Sequence, residues 1–468
     1  MKNRFFTVMM LLFLMVSLTG NAQATPQTSL DPKALVYVYM GSPDSFHSFA
    51  STHLPIYTLL DGGLLTGANT KDQQLLKDAG LNFQIVDPDL RVGIYFLAET
   101  RTSLLSPNFA SFGVVLLNTT HGALLRMDPS QVDALTQAGA ELKKITLTPK
   151  PLSPAPSDGS FPDIVEPEPL IQGMIDQVTQ EQVYEYDREL TGDLPVWVDG
   201  AWYTITSRYT YSNTPIEKTM HYVGQHMEGL GLGVEYHQWG GSTYPNVIGQ
   251  ITGTVNTDDI FIIGAHIDDV PNTRGADDNA SGSVATLLAA DILSQYQWGC
   301  TLRFALWTGE EQGLNGSHSY AQRSYNNGEN ILGYLNLDMI AWNTLNSPAS
   351  IYLGHRSSVP HSLDLANLFS DVIDTYNFNF QYVIGTNYDG SSDQASFLDL
   401  GYPAILAIEG NDDLNPYYHS PQDTPTHTDP IYFTNFVKAS IAMYAHMSDC
   451  LLIQPIWKFF LPLVIKDQ

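Results

Sequence analysis

Short apolar runs that end abruptly in acidic and imidazole side chains constrain this chain more than any other feature. IFIIGAHID (260–268), LRFALWTGEE (302–311) and LGYLNLDMI (332–340) are of this kind, and ASIYLG (349–354) and YPAILAIEG (402–410) are further runs of the same texture. Each is short and rich in β-formers, so each reads as a buried strand. Between and after them, ASGSVATLLAADILSQY, SLDLANLFSDVIDTY and YFTNFVKASIAMYAHM carry apolar faces at helical spacing. The alternation predicts an α/β sandwich with helices on both faces of a mixed, mostly parallel central sheet. In such folds ligands bind beyond the carboxyl ends of the strands.

The polar clusters fall at those ends. The first strand delivers His266 and Asp268. The following turn, RGADDNASG, delivers Asp277 and Asp278 just before a helix. LRFALWTGEEQGLNGS delivers the adjacent pair Glu310 and Glu311, LGYLNLDMI delivers Asp338, and NPYYHSPQDT delivers Tyr418 and His419. Like charges crowded together repel, so a positive centre is expected among them. Imidazole plus carboxylate without thiolate suits zinc, with manganese or cobalt as substitutes. One carboxylate can bridge two ions, as in dinuclear hydrolases. Asp269 and Asp277 read as turn or helix N-terminal carboxylates.

Taken in order, AHID, GADDNASG, GEEQGLNGS, NLDMI and YHSPQDT resemble the motifs of the M28 family of metallo-aminopeptidases, the secreted bacterial di-zinc type. The resemblance spans roughly residues 169 to 450 and implies a zinc exopeptidase-like three-layer fold. It implies two zinc ions per chain, with His266 and Asp338 on one, Glu311 and His419 on the other, and Asp278 bridging both. Glu310 would be the general base acting on a metal-bound water. Asp268 would orient His266, and Tyr418 would steady the oxyanion. The implied activity is hydrolysis of the first peptide bond of substrates with a free N-terminus. The same fold hosts carboxypeptidases, for which Arg274 and Arg356 are the candidate carboxylate-binding cations, and glutaminyl cyclases. These are the alternative activities, with a catalytically inactive binding module as a further one. One position departs from the family pattern: Gln394, in SSDQASF, stands where a histidine is common, on the side where relatives bind substrate.

The rest of the chain frames this core. Residues 1–24 (MKNRFFTVMMLLFLMVSLTGNAQA) have a basic start, a short apolar stretch and a small-x-small end, and read as a secretory signal peptide, so the protein is expected outside the cell. Residues 148–169 are dense in Pro, Ser and Asp and read as a linker. Between these, residues 25–147 hold a weak internal repeat, GGLLTGANTKDQQLLKDAGLNFQIVD against HGALLRMDPSQVDALTQAGAELKKIT. Each copy has a strand, a turn, a short helix stopped by Ala-Gly, and a second strand, which predicts a small α+β domain, either a propeptide or a permanent accessory. The peptidase-like domain is expected over 170–451, and 452–468 form a short apolar tail too short to cross a bilayer. Cys300 and Cys450 have no CxxC spacing, and their pairing is open at this level. Asp and Glu number 49 against 21 Lys and Arg, a balance that excludes binding to nucleic-acid phosphates. With the signal peptide removed, no membrane span is expected.

Overall fold

The computed structural model describes residues 33–455, apart from 42, 61, 101–106, 151–160, 162–165, 345–348 and 387–389. The segment read as a signal peptide, most of the Pro-rich stretch and nearly all of the C-terminal tail lie outside the described residues.

The C-terminal part is built on one eight-stranded sheet. Its spatial order is Gly233–His237, Asn246–Ile251, Cys300–Trp307, Asn256–His266, Asn330–Leu337, Ala404–Glu409, Ala349–Gly354, Phe380–Gly385. The four strands from Cys300–Trp307 to Ala404–Glu409 are mutually parallel, and the antiparallel pairings lie outside them. All five expected strands are present, and the sheet is mixed and mostly parallel at its centre as expected. The strands at either edge lack the continuous apolar texture that marks the buried strands: Gly233–His237 exposes alternate residues, and Phe380–Gly385 exposes Gln381, Tyr382 and Val383 in succession. Helices Gly282–Leu293 and Pro430–Ser448 pack against this sheet. Both are apolar nearly all round, as befits helices covered on most sides.

The N-terminal part contains two four-stranded antiparallel sheets. One runs Thr58–Leu60, Gly63–Ala68, Ala34–Tyr39, Phe83–Asp87; the other runs Gly113–Asn118, Gly122–Met127, Tyr95–Glu99, Glu141–Ile145. In each, the first strand in sequence lies third in space, and a short helix (Thr70–Asp78, Val132–Gln137) precedes the last strand. The internal repeat is therefore a repeat of topology. The helix stops are as the Ala-Gly pairs predict: Gly80 and Gly139 take φ of +72° and +90°, a region that costs glycine little. The copies pack face to face through Leu35, Tyr37 and Leu65 of one and Tyr95, Leu97 and Leu124 of the other.

Cys300 and Cys450 form a disulfide that ties the start of a central strand to the end of the last helix. It closes a loop of sequence separation 150, so it restricts the unfolded chain strongly. Replacing both cysteines by alanine is expected to lower stability by about 2–4 kcal/mol. The thermal midpoint measured with and without reductant checks this: reductant should lower the wild-type midpoint and leave that of the double variant unchanged.

Candidate metal centre

Each cluster residue arrives from the carboxyl end of one of the four parallel strands. His266 is the last residue of its strand, and Asp338 follows Leu337 directly. Glu310 and Glu311 follow Cys300–Trp307 by a tight turn. Its Gly309 has φ +75°, and a Cβ there would lie 2.5 Å from the Trp239 ring. Only glycine fits, which explains the Gly before the glutamate pair. Asp278 lies in the irregular turn Ala276–Ser281 ahead of helix Gly282–Leu293, and His419 comes from the loop after Ala404–Glu409.

The side chains converge into two triads sharing one carboxylate. His266 Nε2 lies 3.4 Å from Asp278 Oδ1 and 3.4 Å from Asp338 Oδ1. His419 Nε2 lies 3.2 Å from Asp278 Oδ2 and 3.1 Å from Glu311 Oε2. Asp278 thus offers one oxygen to each triad. Ligands about 2.0–2.1 Å from a tetrahedral zinc stand about 3.3–3.4 Å from one another. The observed separations are of that size, so the residues present fit an ion in each triad. Glu310 stands beside them, with a carboxylate oxygen grouped within 4.8 Å of a His266 ring nitrogen and a Glu311 carboxylate oxygen.

The charge balance points the same way. Burial, opposed by His266 and reinforced by Glu311, Asp393 and Asp338, holds the Glu310 carboxyl well above its usual range. Burial, opposed by His419 and reinforced by Asp278, pushes Glu311 up to about 7. Burial would lower His419, yet Glu311 and Asp278 lift it to about 10. Asp278 goes the other way: burial is outweighed by His266 and His419, and its carboxyl is held below the usual range. Glu311 Oε1 is buried without a hydrogen-bond partner among the described residues. Carboxylates in excess over imidazoles, in a buried setting, need a cation.

Both imidazoles are oriented for this. His266 Nδ1 donates to the Asp268 carbonyl at 3.1 Å, and His419 Nδ1 donates to the Thr136 carbonyl. A carbonyl can only accept, so each ring carries a proton on Nδ1, and a cation among the carboxylates would meet the Nε2 lone pair turned inward. The Asp268 carboxylate also faces this ring, 3.8 Å from Nδ1 of His266, and accepts from the Thr210 hydroxyl (2.9 Å) and the Glu310 amide (3.3 Å). Asp268 orients His266 through its backbone and the glutamate turn through its side chain.

Further buried polar groups hold the loops that carry these side chains. Arg208 is buried, and its guanidinium donates to the carbonyls of Ile267, Leu190, Arg274 and Gly275 at 2.7–3.0 Å, pinning the loop between His266 and Asp278. The Asp423 carboxylate accepts the amides of Asp277 and Asp278, each at 3.0 Å. Asp277 accepts from the Ala341 amide and the Asn415 side chain, a structural role as expected. Asp423 was visible in the SPQDT motif, but Arg208 lies far from any motif and carried no signal. Gln394 is buried and accepts from Asn336 at 3.0 Å, so it supports the strand ends from within the core. Arg274 pairs with Asp193 and Arg356 with Asp399, so both candidate cations for a C-terminal carboxylate have other partners. Tyr418 stacks on His419, and its hydroxyl donates to Glu141 at 3.3 Å.

Comparison with known proteins agrees with this geometry. Residues 246–444 match the sequence pattern described as Peptidase family M28. The chain is 34% identical over 181 residues to a probable leucine aminopeptidase 2 of Aspergillus oryzae, covering 37% of this chain and 35% of that protein. It is 33% identical over 149 residues to aminopeptidase Y of Saccharomyces cerevisiae, covering 31% and 27%. The chain thus spans about a third of the length of these curated relatives. The LapA aminopeptidase of Legionella pneumophila shares the fold, with a TM-score of 0.61 and 19% identity over 77% of this chain and 99% of that one. Over residues 246–444 the chain is thus similar to peptidase family M28, and it shares the fold of an aminopeptidase of known structure.

Proposed function

We propose that this protein is a secreted zinc aminopeptidase that hydrolyses the first peptide bond of substrates with a free N-terminus. The observation that carries this reading is the pair of triads sharing Asp278, with Glu310 adjacent and outside both.

Two bound zinc ions would supply Lewis acidity, polarising a peptide carbonyl and acidifying water. The chain's own groups supply the rest. Arg274 and Arg356 are each paired with an aspartate, so neither is free to meet a substrate's C-terminal carboxylate, which favours a substrate presented by its N-terminus. Glu310 takes a proton from the attacking water on its carboxylate and returns it to the departing amine nitrogen. Tyr418 offers its hydroxyl to the developing oxyanion. His266 and His419, locked as Nδ1–H tautomers, keep the ligand set rigid. The N-terminal signal-like segment supports export, and the Cys300–Cys450 disulfide is the kind of bond that oxidising compartments preserve.

Two substitutions test the assignments separately. Asp278→Asn leaves only one side-chain oxygen for two triads, so metal content after dialysis, read by elemental mass spectrometry, should fall well below wild type. His361→Ala, which removes a surface imidazole paired with Asp364, should keep the wild-type content. Glu310→Gln should keep its metal yet lower kcat on Leu-p-nitroanilide by about a hundred- to ten-thousandfold. Turnover of an N-acetylated substrate at the rate of the free-amine one would sink the aminopeptidase reading, and cyclisation of a Gln-initiated peptide would move the protein to the cyclase class.

A further inference from the structure

The second copy of the N-terminal repeat sits on the metal centre. The Thr136 carbonyl, near the end of helix Val132–Gln137, accepts from His419, and the Glu141 carboxylate accepts from the Tyr418 hydroxyl at 3.3 Å. Around these, Asp133 accepts from Tyr209 at 2.6 Å, Gln137 donates to the Pro271 carbonyl at 2.9 Å, and the Lys144 amide donates to the Gly313 carbonyl at 3.2 Å. Gly313 is two residues from Glu311, so backbone meets backbone at the rim of the glutamate turn. With this cover in place, Glu310 is only 9% exposed and His419's side chain 3%. The base and the imidazole are thus largely covered on the side of the N-terminal part.

Beside the cover, Lys143 of the N-terminal part, Lys150 at the start of the linker and Arg356 of the peptidase-like part all pair with Asp399, with Lys143 at 2.7 Å and Arg356 at 2.8 Å. Asp399 is nearly fully buried. One carboxylate therefore holds together cations from both parts, and its loss would leave three buried positive charges facing each other.

The geometry points to the N-terminal domain being an inhibitory plug, in which Glu141 occupies the hydrogen bond of Tyr418 that a substrate's oxyanion would use and Asp399 latches the plug in place. This rests on the aminopeptidase reading. A carboxylate on Tyr418 imitates the charge of the tetrahedral state, and the surrounding contacts make that imitation intramolecular, so it outcompetes a dilute peptide.

The test uses the full chain with a protease site engineered between residues 151 and 160, loaded with zinc. Cutting turns an intramolecular plug into a separable one. The intact chain should hydrolyse Leu-p-nitroanilide slowly at every protein concentration, whereas the cut chain should gain at least tenfold in kcat/KM on dilution. In the uncut chain Glu141→Ala and Asp399→Asn should each raise kcat/KM severalfold with metal content unchanged. Equal activity of cut and uncut chains, or a loss of activity or metal on cutting, would overturn the plug and make the domain an integral support for His419. If neither form turns over any peptide, the peptidase reading fails and the plug is judged by a leucine hydroxamate probe. Binding to the cut chain alone upholds the plug; equal binding to both forms overturns it.

Discussion

Asp278 is the point on which the rest of the site depends. A single buried carboxylate faces two imidazoles, one oxygen to each, and the remaining ligands arrange themselves around that division. Its position is demanding, because it must hang between strand ends while its own backbone is kept out of the helix that follows. The chain meets this with charge beneath charge. Asp423 holds the amides of 277 and 278, Arg208 holds the carbonyls just before them, and Gly275 turns the chain at φ +54° where a Cβ would lie 2.1 Å from the Asp278 carbonyl oxygen. Fixed backbone dipoles thus hold a carboxylate where its own charge is costly, and a cation repays that cost.

The same economy runs outward. The four parallel strands bring their carboxyl ends to one edge, so residues distant in sequence become neighbours without any long loop having to carry them. The imidazoles are oriented by carbonyls, which fix the tautomer without adding negative charge to an already anionic pocket. One of those carbonyls, Thr136, belongs to the N-terminal domain, so the part that covers the site also touches its ligand set. A cover bound in this way is coupled to the chemistry beneath it.

Much of this was legible in the sequence because buried parallel strands are written as unbroken apolar runs, and the residue after such a run is placed by the strand itself. That rule brought His266, the Glu310–Glu311 pair, Asp338 and the clusters around Asp278 and His419 to strand ends, and the resemblance carried by the ordered motifs assigned a role to each. The repeat of the N-terminal part was legible for a similar reason: two Ala-Gly helix stops in matching positions mark two matching folds. Edge strands such as Phe380–Gly385 were not legible, since their exposed positions break the apolar run. How Asp268 meets His266 was only partly legible: its carbonyl takes the Nδ1 hydrogen bond, while its carboxylate stands 3.8 Å away, held by Thr210 and the glutamate turn, a division that packing alone decides.

What the sequence by itself determined is the chemistry: which residue types stand at strand ends, the excess of carboxylate over imidazole, and the strand and helix content that brings them together. The tertiary structure alone decided the partners. It paired Cys300 with Cys450 across 150 residues, set Arg208 under the loop, gave Asp399 three cations from both parts and the linker, and placed Glu141 on Tyr418. The physical reason is that local pattern reports on a residue's own strand or helix, whereas a hydrogen bond or ion pair between distant segments depends on how whole domains dock, and no local period records that.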